Sequence, residues 1–155
     1  MKRPLRIFID TSVIGGCLDD EFKEYSTKLL EGIIKGNFHA VISEITDLEL
    51  MEAPPEVKEI LTRIPVRNIE HVELVEEASE LAANYIKDGV LDRTKLADAQ
   101  HIAIATINRV DVVVSWNFKH VVNIRRIAGY NAVNLKAGYP IIDIRSPREV
   151  VSDEE

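Results

Sequence analysis

Cysteine is nearly absent: Cys17 is the only one in 155 residues. No internal disulfide can form, and a reducing, cytoplasmic setting is the expectation. Any apolar run of membrane-spanning length is also lacking, so no membrane association is expected. Lys2, Arg3 and Arg6 open the chain, but Asp10 interrupts the apolar stretch behind them, which argues against a signal peptide. Positive charge is in deficit, with 19 Lys and Arg against 26 Asp and Glu and a formal net charge of −7. Unspecific adhesion to nucleic acid is therefore disfavoured, and any such contact must rely on a local basic patch or on bound metal ions. Repeats, low-complexity tracts and linkers are missing as well. What remains, 46% apolar and 29% charged, is the composition of one globular domain with its own core. A single domain over 1–150 is expected, with 151–155 as a frayed acidic tail.

The densest apolar run, Ile7-Phe8-Ile9, leads straight into Asp10, the only formal charge between Arg6 and Asp19. Such a run reads as a strand covered on both faces, as in the centre of a parallel sheet. A short helical turn over 12–18 and a helix from about Glu21 ending at Gly36 follow. His39–Ser43 reads as a second strand, and Ser43 caps a helix that Pro54-Pro55 stops. The pattern then predicts a helix over 56–63, a short strand over 66–69, and a helical stripe from Val72 to Lys87 closed by Gly89. A helix over about 94–108 precedes the strand Asp111–Ser115. Helices over 118–128 and 131–137 and a strand over 141–144 complete the chain. Strands alternating with helices point to an α/β fold around a parallel sheet.

Four polar positions interrupt these elements. Asp10 falls at the carboxyl end of a strand, where open α/β sheets carry their chemistry, although capping a short helix would also account for it. Asp98 is the one formal charge in a helix that is apolar nearly all round. Such a carboxylate needs a cation, a set of donors or a raised pKa, unless it only complements the helix dipole. Glu49 lies between Leu48 and Leu50, turned toward the buried stripe of its helix, with Glu44, Asp47 and Glu52 as ordinary surface neighbours. Asn117 follows the Val112–Val114 strand, where a helix cap is the simpler role. Three carboxylates drawn into one crevice repel unless protonated or neutralised by a cation. All-oxygen ligands suit Mg²⁺ or Mn²⁺ rather than zinc, and such ions serve mostly in phosphoryl chemistry.

Asp10-Thr11-Ser12, Ile45-Thr46-Asp47-Leu48-Glu49-Leu50, Asp98-Ala99-Gln100-His101-Ile102-Ala103 and Ser115-Trp116-Asn117 stand in the order of the PIN-domain motifs. Over about Leu5 to Ile144 the chain resembles a PIN-domain protein of the VapC toxin-like ribonuclease type. The resemblance implies a three-layer α/β/α sandwich around a mostly parallel sheet, and Mg²⁺- or Mn²⁺-dependent endoribonuclease cleavage of RNA. It implies that Asp10, Glu49 and Asp98 are acidic metal ligands and that Ser12 and Ser115 support the site. Asn117 stands where a fourth acid is frequent, so the expected catalytic set is Asp10, Glu49, Asp98 and Asn117, with one unit of negative charge missing. A homodimer bound by a small antitoxin is the partner pattern the resemblance implies. RNA would need cations along the crevice, and Arg93, Lys95, Lys119, His120, Arg125 and Arg126 flank the motifs. His101 reads as a satisfied core histidine, and Trp116 as strand-end packing in preference to a base platform.

Other classes fit less well. A phosphorylated receiver module pairs two acids after its first strand, whereas Ile9 precedes Asp10. A haloacid-dehalogenase-type phosphatase requires an acid where Ser12 stands, and Gly15-Gly16 lacks the spacing of a nucleotide loop. The alternative to catalysis is a degenerate PIN fold kept for RNA or protein binding.

Overall fold

The computed structural model describes residues 3–152. Leu5–Ile9 (β1) forms the centre of a five-stranded sheet. Phe38–Ser43 (β2) and Val112–Val114 (β4) flank it, and Ile69–Val72 (β3) and Ile144–Arg145 (β5) form the edges. Every pairing is parallel, with Ile7 opposite Ala40 on one side and Val112 on the other.

Parallel pairing requires crossover connections, and helices cover both faces. Thr11–Gly16 (α1), Lys23–Lys35 (α2), Pro55–Thr62 (α4) and Pro147–Ser152 (α8) supply residues to one core, to which Ile7, Ile9, Ala40, Ile42, Val112 and Val114 point. Glu76–Lys87 (α5), Leu96–Ile107 (α6) and Ile124–Lys136 (α7) supply the other, which receives Phe8, Val41 and Val113. The strict alternation along β1 explains why Ile7-Phe8-Ile9 carries no polar residue: each face of the pleat meets a core. Glu44–Met51 (α3) stands at the carboxyl end of β2, with Leu50 in the first core and Ile45 packed against the second. Ser43 caps it, its Oγ accepting from Thr46 N at 3.2 Å. The result is the three-layer α/β/α sandwich expected from the sequence.

Several boundaries differ from the sequence reading. Residues 66–68 form a 3-10 turn after Pro65, and β3 begins only at Ile69. Phe118–Val121 is a turn in place of a helix, and α7 runs unbroken through 131, so the two expected helices are one. Gly129 sits inside α7 because a Cβ there would meet Val90 Cγ1 at 2.9 Å. The last strand is confined to Ile144–Arg145. Val151 and Ser152, expected in a frayed tail, belong to α8, where Val150 and Val151 are buried. The tail expectation for 153–155 lies outside the described residues. None of the described helices is long and apolar enough to cross a membrane.

Candidate metal-dependent active site

The carboxyl ends of β1, β2 and β4 converge on one edge of the sheet. Asp10, directly after β1, caps α1: its Oδ1 accepts from Val13 N at 3.3 Å and from Ser12 Oγ at 2.5 Å. Its Oδ2 accepts from Ser115 Oγ at 2.6 Å. Ser115 is fully buried, and its Oγ also accepts from Asn117 N at 3.0 Å, while Ser12 Oγ accepts from Trp116 N at 3.0 Å. The two serines therefore lock the Asp10 carboxylate to the β4 end. Capping and site-building are one arrangement here, not competing explanations of Asp10.

Asp98 lies in the first turn of α6, half-buried, and accepts no hydrogen bond among the described residues. Burial pushes its carboxyl above the ordinary aspartate range, Asp10 pushes in the same direction, and His101, His120 and Lys95 oppose. A raised pKa is thus one of the three expected outcomes that the surroundings of Asp98 favour.

Glu49 stands on the exposed side of α3, its side chain 47% accessible. Its Oε1 accepts from Thr11 Oγ1 at 3.1 Å and faces His101 Nε2 at 3.3 Å. The hydrogen bond from His101 lowers its pKa, against a desolvation effect of opposite sign. Thr11 and His101 are the contacts that sequence reasoning missed. Thr11 adjoins Asp10 and His101 follows Asp98 by three positions, but a one-dimensional pattern carries no sign that both reach for Glu49.

Asn117 works as a cap. Its Oδ1 accepts from Lys119 N at 3.2 Å and His120 N at 3.0 Å, and its carbonyl oxygen closes the turn from Val121 and Val122. Asn117→Asp would cap equally well. The variant is expected to keep its stability within about 0.5 kcal/mol and to bind Mn²⁺ within about threefold of the parent. A tenfold tightening in a calorimetric titration would instead put this side chain on the ion.

The flanking cations divide. Arg93, Lys119 and Arg125 are exposed and Lys95 is half-buried, and none forms an ion pair among the described residues. The Arg126 guanidinium is occupied, donating to the Val90 carbonyl. The His120 Nδ1 is buried without a partner. Trp116 is interior, stacked on Phe22 at 4.4 Å with Nε1 donating to Ser26 Oγ at 2.8 Å. The exposed aromatic beside Asn117 is Phe118, 51% accessible, with its ring edge-on to Trp116.

Among the described residues, no three His, Cys, Asp or Glu side chains form a ready cage for an ion. The donor chemistry nevertheless fits a small hard cation. Mg²⁺ keeps several waters and takes one or two protein carboxylates, so Asp10 and Asp98 suffice without a closed cage. Asp98, repelled by Asp10 and lacking a donor, is the group such an ion would relieve.

A parallel sheet with its acids at the carboxyl edge and helices on both faces is the arrangement of a PIN-type α/β/α sandwich, and solved toxin structures share this fold. FitAcB from Neisseria gonorrhoeae superposes with a TM-score of 0.58 at 18% identity, over 92% of this chain and 98% of its own. VapC20 from Mycobacterium tuberculosis, a sarcin–ricin loop cleaving toxin, gives 0.55 at 12% identity, over 88% and 98%. A toxin–antitoxin complex from Klebsiella pneumoniae gives 0.53 at 22% identity, over 74% and 88%. No family model matches the chain, and no curated protein does.

Proposed function

We propose that this protein is a metal-dependent endoribonuclease, the toxin of a toxin–antitoxin pair, working in the cytoplasm. The observation that carries the reading is Asp98: a half-buried carboxyl with no donor among the described residues, at the carboxyl edge of the sheet where the Asp10 charge helps to raise its pKa. A fold shared with a toxin that cleaves the sarcin–ricin loop favours RNA as the substrate. Fold neighbours solved as toxin–antitoxin complexes favour a small antitoxin as partner, and a homodimer is the assembly we propose with it.

Asp10 and Asp98 would hold Mg²⁺ or Mn²⁺, with Glu49 available to a second ion. When bound, such an ion supplies water activation and charge neutralisation at the attacked phosphate. The protein's own part is to orient. Ser12 and Ser115 fix Asp10, so its carboxylate needs no reorganisation as charge develops. Glu49 keeps one oxygen without a partner among the described residues, the atom that would take the proton of the attacking water. Lys119, Lys95, Arg93 and Arg125 would hold backbone phosphates and set the register of the strand.

The test is cleavage of labelled single-stranded RNA by the purified protein. Cleavage should require Mg²⁺ or Mn²⁺, cease with a chelator and leave 5′-phosphate ends. Cleavage that survives chelation overturns the metal reading. RNA binding without any cleavage would favour the degenerate binding module.

A further inference from the structure

Glu49 ends a hydrogen-bonded line that begins inside the protein. Ser43, fully buried at the end of β2, accepts from Thr46 N and lies 3.1 Å from His101 Nδ1. The ionised Glu49 carboxylate can only accept, so the ring donates from Nε2, and the Ser43 hydroxyl, one of its two lone pairs taken by the helix cap, donates its proton to Nδ1. Nε2 is then the N–H of the ring, aimed at Glu49 Oε1. Phe8 meets the imidazole edge-on, with ring centres 5.8 Å apart.

The position is costly for stability alone. Around it Ala99, Ile102, Ala103 and Ile104 are fully buried, and His101 itself is 6% accessible. An apolar side chain would fill that space with no polar atoms to satisfy. The hydrogen bond to a half-exposed Glu49 contributes little to stability. What the arrangement does accomplish is geometric. Thr11 from the Asp10 segment and His101 from the Asp98 helix grip the same oxygen, so Glu49 is held to both aspartate-bearing segments.

We infer that His101 is a positioning residue, which fixes Glu49 through Oε1 and leaves Oε2 free for the reacting water or ion; this rests on the nuclease reading above. Outer groups of this kind set the orientation of the groups that react, and their loss typically costs about 10–100-fold.

Two measurements decide it. In ¹⁵N-histidine spectra of the intact, metal-free protein, His101 should carry its proton on Nε2, and Glu49→Ala, an exposed change, should speed exchange of that proton. A proton on Nδ1, or a signal indifferent to Glu49→Ala, overturns the inference. In RNA cleavage, His101→Leu should lower kcat about 10–100-fold with KM within about twofold. His101→Gln, whose amide can replace the Nε2 donor, should recover most of the loss. In a Glu49→Ala background, His101→Leu should have no further effect. Additive losses, or equal losses in the Leu and Gln variants, would assign His101 to the fold alone. If the parent cleaves no RNA, the nuclease reading fails, while the spectra still establish whether His101 holds Glu49.

Discussion

Asp98→Asn is expected to lower RNA cleavage by about 10²–10³-fold, the scale of losing one group that stabilises charge in the transition state. The metal-free variant should be as stable as the parent or more so, because the carboxyl is desolvated and repelled by Asp10. The sign follows from linkage. The folded state binds the Asp98 proton more tightly than the unfolded chain does, so deprotonation costs stability. In the parent, the Asp98 contribution to stability should fall as pH rises from the ordinary value of 3.8 through the higher folded value. The Asn variant lacks that fall. Denaturant titrations in chelator, at about pH 4 and about pH 7, measure the difference. Excess Mn²⁺ should raise the Tm of the parent, and raise that of the variant less. A variant that cleaves at the parent rate, or that keeps the full response to Mn²⁺, removes Asp98 from the site.

The second large effect is expected from packing and not from charge. Gly16→Ala adds a single methyl group to α1, and helix propensity alone would favour it by about 1 kcal/mol. Packing decides otherwise. The new Cβ would stand 2.4 Å from Ser26 Oγ and 2.9 Å from Trp116 Nε1. Ser26 cannot rotate away cheaply, since its Oγ donates to Val13 O at 2.8 Å and accepts from Trp116 Nε1 at 2.8 Å. Trp116 is held in turn by its stack on Phe22. Overpacking costs about 1–3 kcal/mol, and a buried donor left unpaired costs a further 1–3 or so. The net loss should be about 2 kcal/mol, or roughly 4–8 °C in Tm for a chain of this size. Activity should fall as well, because Trp116 N donates to Ser12, which holds Asp10. A variant with unchanged Tm would show that α1 can slide away from β4 without cost.

The core of this fold was legible because its signals are local. The apolar run of β1, the Ser43 cap and the left-handed glycine at Gly36, with φ of 86°, each act within a few residues. The misreading after Asn117 has an equally local cause. Asn117 and Asn123 both cap, and Val121, Val122, Ile124 and Ile127 extend one apolar stripe across both. Periodicity therefore placed the helix one cap too early. The gap expected between 128 and 131 is helix, with Val90 pressed against Gly129, a contact nothing in the sequence shows. At the site, Asp10 and Asp98 were readable as isolated charges in apolar surroundings. The joining of Glu49 to His101 was not, since the partners lie 52 residues apart and each has an ordinary explanation where it stands. The α8 helix was hidden for a similar reason: Val150 and Val151 find their core only on the face that α2 also covers.

β1 is made before both of the strands it pairs with and yet lies in the middle of the sheet. A ribosome delivers the chain from its N-terminus, so β1 can meet β2 early, while its other edge waits for residues 112–114. Asp10 waits with it. One oxygen is satisfied at once by Ser12, but the other has no partner until Ser115 leaves the exit tunnel. A nascent chain paused before that point presents an unpaired strand edge, the kind of surface that chaperones shield. It also has only part of its chemistry assembled. Synthesis order thus acts as a delay, and the site is completed only once the chain has been made well past Ser115, 105 residues after Asp10.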